Sequence, residues 1–136
     1  MIKMPREIEF RAWLKDEKRM IDVRAIDFDD DGNILSVNYP EGKSYSGYDG
    51  DNIELMQYTG IKDKNGVKIF EGDIVIYKYQ NDDLKTKKLT VFFDEEDCSF
   101  SLAYKGKPHM YVEKDDAKYY KVIGNIYENK ELLENE

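Results

Sequence analysis

Three short apolar runs separated by two different glycine turns occupy the middle of the chain: Leu55-Met56-Gln57-Tyr58-Thr59-Gly60-Ile61-Lys62, Val67-Lys68-Ile69-Phe70 and Ile74-Val75-Ile76-Tyr77. None is long enough for a stable helix, and each ends where a turn begins. Asp63-Lys64-Asn65-Gly66 is a turn with a physical cause at each position. Asp bonds forward to the backbone, Asn tolerates left-handed geometry, and Gly adopts positive φ without a Cβ clash. The sequence therefore predicts a hairpin, with Gly66 forming a bulge that sets its register. Glu71-Gly72-Asp73 turns the chain again, and the strand that follows is apolar on both faces, as expected near the centre of a barrel or sandwich.

The remainder repeats this grammar. Glu7 to Leu14 alternates strictly, placing Ile8, Phe10, Ala12 and Leu14 on one face. Arg19 to Phe28 is extended, with a change of parity that predicts a bend near Ala25. Asp29 to Asn33 turns into a strand from Ile34 to Tyr39, and the polar Pro40 to Asn52 segment reads as a linker or loop. Further strands are expected at Lys88–Phe93, Cys98–Tyr104, His109–Val112 and Tyr119–Tyr127, the last interrupted by Gly124. Asn129 to Leu133 is the one helical stretch, with Asn129 as its cap. Short strands between Gly, Asn, Asp and Pro turns predict a mainly β, antiparallel protein. Residues 1–52 form an N-terminal β-hairpin or meander lobe, and residues 53–136 form a small SH3-like barrel with a short C-terminal helix.

Charge narrows the function classes. The 21 Lys and Arg against 29 Asp and Glu leave a net charge of −8. That balance disfavours a nucleic-acid backbone and favours basic partner surfaces. Cys98 is the single cysteine, so no intrachain disulfide forms, and no stretch has the apolar length of a leader or a membrane span. A cytoplasmic setting without membrane attachment is the expectation. The 11 Tyr and 6 Phe suit half-buried strand positions first and interfaces second.

Chemical motifs are sparse. Asp27-Phe28-Asp29-Asp30-Asp31-Gly32-Asn33-Ile34 matches the opening of a calcium loop, which makes Asp27, Asp29 and Asp31 candidate cation ligands. The twelfth position is Asn38 instead of a bidentate Glu, and the flanks are extended, so the segment reads as an acidic turn. His109 is the single histidine, which leaves no second imidazole for a metal, and Cys98 is expected to be buried and inert. The adjacent acids Asp82-Asp83, Glu95-Glu96 and Asp115-Asp116 fall in turns, and no phosphate-binding glycine pattern occurs. Gly60, Asp63, Asn65, Gly66, Gly72, Asp73 and Gly124 are assigned to backbone geometry. No catalytic residue and no cofactor are expected.

Three blocks in order, Arg6–Trp13, Leu55–Gly66 with Ile69–Val75, and Val122–Asn129, resemble the YopX family of phage and prophage proteins. The resemblance spans nearly the whole chain. It implies a phage-encoded, mainly β protein acting in a bacterial host, and it brings no catalytic residue with it. The expected function is a non-enzymatic accessory module that binds a host or phage protein, or a second copy of itself. A nucleic-acid-associated regulator is the alternative, and a small metal-dependent enzyme a more distant one.

Overall fold

The fold, taken from a computed structural model, is described for residues 6–46, 52–79 and 87–134. It is mainly β, with antiparallel sheets, one of them curled into a half-barrel, and a short C-terminal helix. The chain divides into two compact units, one of Glu7–Gln57 and the other of the remaining residues, chiefly those from Tyr58 onward.

In the first unit, β1 (Phe10–Leu14) pairs with β2 (Arg19–Asp22) on one side and with the first half of β6 (Ile53–Lys62) on the other. β3 (Ala25–Phe28), β4 (Ile34–Tyr39) and β5 (Lys43–Ser46) form a separate antiparallel sheet. The expected bend near Ala25 is thus a change of sheet. Val23 and Arg24 separate β2 from β3, and their N–H groups bond the Phe10 and Asn38 carbonyls. Ala12, Leu14, Ile21 and Val37 make the core, while Ile8, expected to share their face, lies before β1 and is exposed. Residues 43–46 correct the linker reading. Glu41 and Gly42 take positive φ, turn β4 back on itself, and allow the polar Lys43–Ser46 segment to pair with it. A partner strand supplies the pairing that local composition does not advertise.

In the second unit, the later half of β6 pairs with β7 (Lys68–Phe70). β8 (Asp73–Tyr77), β9 (Lys88–Asp94), β10 (Ser99–Tyr104), β11 (Lys107–Tyr111) and β12 (Tyr120–Asn125) form a sheet in the order β11-β10-β9-β8-β12. Ile69, Val75, Leu89, Val91, Leu102 and Tyr120 are its buried core. The alternation in β9 and β10 places Val91 opposite Leu102 and Phe93 opposite Phe100 on one face, with Phe92 opposite Ser101 on the other. Lys114–Tyr119 is a 3-10 segment that the sequence did not announce, and α1 (Glu131–Glu134) is a single turn.

The hairpin register corrects a further expectation. Gly66 has φ +82 and its N–H bonds the Asp63 carbonyl, so it closes the turn. The irregularity in the ladder lies earlier, between Tyr58 and Lys62, where Gly60 takes φ +88. Thr59 holds that bulge with its own hydroxyl, which donates to the Ile69 carbonyl at 2.8 Å and accepts the Ile61 N–H at 3.2 Å.

Candidate functional site

The polar residues of the glycine-punctuated blocks turn toward the backbone. Asp63 is only 6% exposed. Its Oδ1 accepts the Asn65 and Val67 N–H groups at 2.8 and 2.9 Å, and its Oδ2 accepts the Val122 N–H at 2.9 Å. The same turn sends the Lys64 N–H to the Tyr120 carbonyl. One carboxylate therefore folds the hairpin tip and secures it along β12. Asp73, also buried, accepts the Phe70 N–H at 2.8 Å across the turn in which Gly72 takes φ +84.

At the end of β12, Asn125 Oδ1 accepts the Tyr127 and Glu128 N–H groups, and the Asn129 side chain accepts the Asn125 N–H at 3.0 Å. Asn129, expected to cap the helix, spends its Oδ1 closing this loop instead, and only its carbonyl reaches the helix, through the Leu132 N–H. Gly124 is set by crowding: a Cβ there would lie 2.6 Å from Asn129 Oδ1.

The acidic Asp27–Asn33 segment is a turn joining β3 and β4. Asp29 Oδ1 accepts the Asp31 and Asn33 N–H groups, its Oδ2 accepts the Asn33 side chain, and Asp27 accepts the Ser36 hydroxyl. The Asn33 N–H leads the interactions that hold the Asp29 carboxyl below its ordinary range. Asp31 has no such role, and among the described residues no three His, Cys, Asp or Glu side chains are gathered to share a metal.

Cys98 corrects the expectation of a buried thiol. It occupies a left-handed position, φ 52, at the end of the β9–β10 turn, where it is exposed and its thiol donates weakly to the Glu95 carbonyl at 3.7 Å. Asp82 and Asp83 lie outside the described residues, while Glu95-Glu96 and Asp115-Asp116 sit in the β9–β10 turn and the 3-10 segment.

The feature that sequence reasoning missed lies around that same turn. Asp94, Glu95, Glu96 and Asp97 form four consecutive acids between two aromatic strand ends. On the core-side face, Phe93 and Phe100 meet edge to face at 5.4 Å, and Phe93 is 43% exposed because the core stops short of it. The opposite face holds a cavity of about 200 Å³ lined by Asp94, Asp97, Ser101, Pro108, His109, Met110 and Tyr111. Tyr111 is 52% exposed and donates its hydroxyl to Asp97 at 3.2 Å. That bond, then the charge of Asp97, burial and the charge of Asp94, raise the Tyr111 phenol above its ordinary value.

His109 reaches this cavity from β11 and also lies 6.0 Å from the Tyr104 ring. Four acids beside a Phe-Phe pair were readable as a signal. The strand was expected at His109–Val112, but its register against β10 was not readable, because a bulge between Leu102 and Ala103 shifts the pairing.

Comparison with known proteins places this architecture. No curated protein matches the sequence. Protein EF1440 from Enterococcus faecalis has a crystal structure similar to this fold, with a TM-score of 0.73 and 30% identity over 96% of this chain and 100% of that one. The crystal structure of protein yopX from Bacillus subtilis has a TM-score of 0.67 and 18% identity over 94% of this chain and 97% of that one, a likeness of fold. The family described as YopX protein matches residues 9–134. The match spans the blocks whose polar residues fold back on the backbone, and this chain belongs to the YopX family.

Proposed function

We propose that the chain is a non-enzymatic protein-binding module of phage or prophage origin, working in the cytoplasm of a bacterial host. One observation carries this reading: exposed aromatic side chains, Phe93 on one face of the sheet and Tyr111 on the other, flank four consecutive acids at the β9–β10 end. Aromatic anchors beside a concentrated charge supply both affinity and steering toward a basic partner. The polar residues of the family blocks support it from the other side, since Asp63, Asp73 and Asn125 are committed to backbone N–H groups. A general acid or nucleophile needs a lone pair or proton available to substrate.

Affinity capture from bacterial lysate at moderate salt tests the reading. The expected result is a partner retained by the wild type and lost from a Phe93→Ser/Tyr111→Ser variant of unchanged melting temperature. Identical recoveries on both, or none on the wild type, would overturn it.

A second reading, association with nucleic acid, is favoured by one local feature. Lys87 and Lys105 stand 4.8 and 5.4 Å from the centre of the Tyr104 ring. Bases stack on such rings and phosphates meet such ammoniums. The net charge of −8 opposes it, and the absence of any mobility shift at low salt is the expected outcome.

A further inference from the structure

The cavity between β9, β10 and β11 combines three properties that together select a ligand chemistry. First, it is small. At about 200 Å³ it falls below the roughly 300 Å³ at which pockets begin to hold whole small molecules, and suits one side chain. Second, its charge is uncompensated: among the described residues neither Asp94 nor Asp97 has a cationic partner. Asp94 gives one oxygen to the Glu96 N–H and Asp97 accepts the Tyr111 hydroxyl, which leaves further lone pairs on both carboxylates. Third, its walls pair an aromatic ring with a polar floor. Tyr111 forms one side, and Ser101, 3% exposed and hydrogen-bonded to the Ser99 hydroxyl at 3.4 Å, lies at the floor.

Two carboxylates and a ring face suit a cation. The charges that disfavour a Tyr111 phenolate favour a positive group in the same place. Among biological cations, a guanidinium is planar, stacks on aromatic rings and donates in a fork that matches paired carboxylate oxygens, whereas an ammonium is a compact and strongly hydrated point charge.

We propose that this cavity is a receptor for a single arginine side chain presented by a partner protein, held between Asp94 and Asp97 with its guanidinium against Tyr111. The proposal rests on the protein-binding reading and specifies its chemistry. Phe93 and Phe100 lie on the opposite face of the same hairpin and take no part in the cavity.

Titration of the ¹⁵N-labelled chain with N-acetyl-arginine amide, followed by amide chemical shifts, tests it. Parallel arms use N-acetyl-lysine amide and N-acetyl-citrulline amide, the second having the arginine shape without its charge. The expected result is saturable shifts centred on Ser101, His109 and Tyr111, with a Kd on the order of 1 mM for arginine, weaker binding of lysine and none of citrulline. Asp97→Asn should weaken arginine binding about tenfold, and Asp94→Asn should weaken it in the same direction. Asp115→Asn, on the 3-10 segment, should leave it unchanged. Unperturbed spectra of the free variants establish that each is folded.

Shifts scattered over every acidic segment without saturation, equal response to citrulline, or indifference to both Asp94→Asn and Asp97→Asn would overturn the receptor. If the titration fails while partner capture still depends on Phe93 and Tyr111, the receptor is wrong and the module stands. If capture fails and the titration succeeds, the module reading falls and the cavity remains a guanidinium site.

Discussion

Glycine and aspartate at the hairpin tip divide the work of one turn. Gly66 sits at φ +82 with open space where a Cβ would stand, so any cost of substitution there is backbone strain and not collision. Gly66→Val should destabilise by about 2 kcal/mol, because a left-handed L-residue costs roughly 1–2 and branching adds to it. Gly66→Asn should cost about half as much, and thermal melts of the pair would show that ordering.

Tyr120 offers a second residue-level test. Burial leads the effects that push its phenol up to about 12, while its hydroxyl accepts the Glu113 N–H at 3.1 Å. An acid whose pKa is higher folded than unfolded binds its proton more tightly in the native state. Its stabilising contribution is complete below about pH 10 and is lost as pH rises toward about 12. Urea midpoints should fall across that window in the wild type, and fall less in Tyr120→Phe. The phenylalanine variant itself should lose about 1 kcal/mol at neutral pH by leaving the Glu113 N–H without its acceptor.

At the scale of elements, most strands were legible because each announces itself by alternation and ends in a residue with turn chemistry. β1, β4, β9 and the 63–66 turn follow directly from such local patterns. Legibility failed where a distant partner decides. β5 is polar and becomes a strand because β4 pairs with it. Gly60, and not Gly66, carries the bulge because the Thr59 hydroxyl finds the Ile69 carbonyl across the ladder. Asp63 was recognisable as a turn former, yet its bond to Val122, 59 residues away, depends on which strand lies beside the turn.

The candidate site was less readable than the fold for the same reason: Asp94, Ser101 and Tyr111 come from three strands and Asp97 from the turn between two of them, and only the strand pairing assembles a cavity. Gly124 shows element-scale coupling as well. A methyl group there displaces Asn129, which closes the loop after β12, so Gly124→Ala should cost about 2 kcal/mol and loosen the C-terminal turn, read as faster amide exchange at Asn125.

Across the whole molecule, buried polar groups and exposed polar groups serve different ends. Among the described residues the buried ones, Asp63, Asp73, Ser101 and Asn125, belong to the second unit, and three of them close turns around its sheet. The acids of the β9–β10 turn make local bonds, Asp94 to the Glu96 N–H and Asp97 to the Tyr111 hydroxyl, and they are the groups the proposed binding uses. The buried groups of this chain thus build the scaffold, and the proposed recognition surface draws on the exposed ones, a division of labour. Equilibrium urea unfolding of Asp63→Asn beside Asp97→Asn measures it in one experiment. Asp63→Asn replaces a charged acceptor with a group that meets the Val122 N–H donor to donor, and should lose about 2–3 kcal/mol. Asp97→Asn, at the surface, should stay within about 0.5 kcal/mol of the wild type. An Asp63→Asn variant as stable as the wild type, or an Asp97→Asn variant that loses as much, would contradict the division.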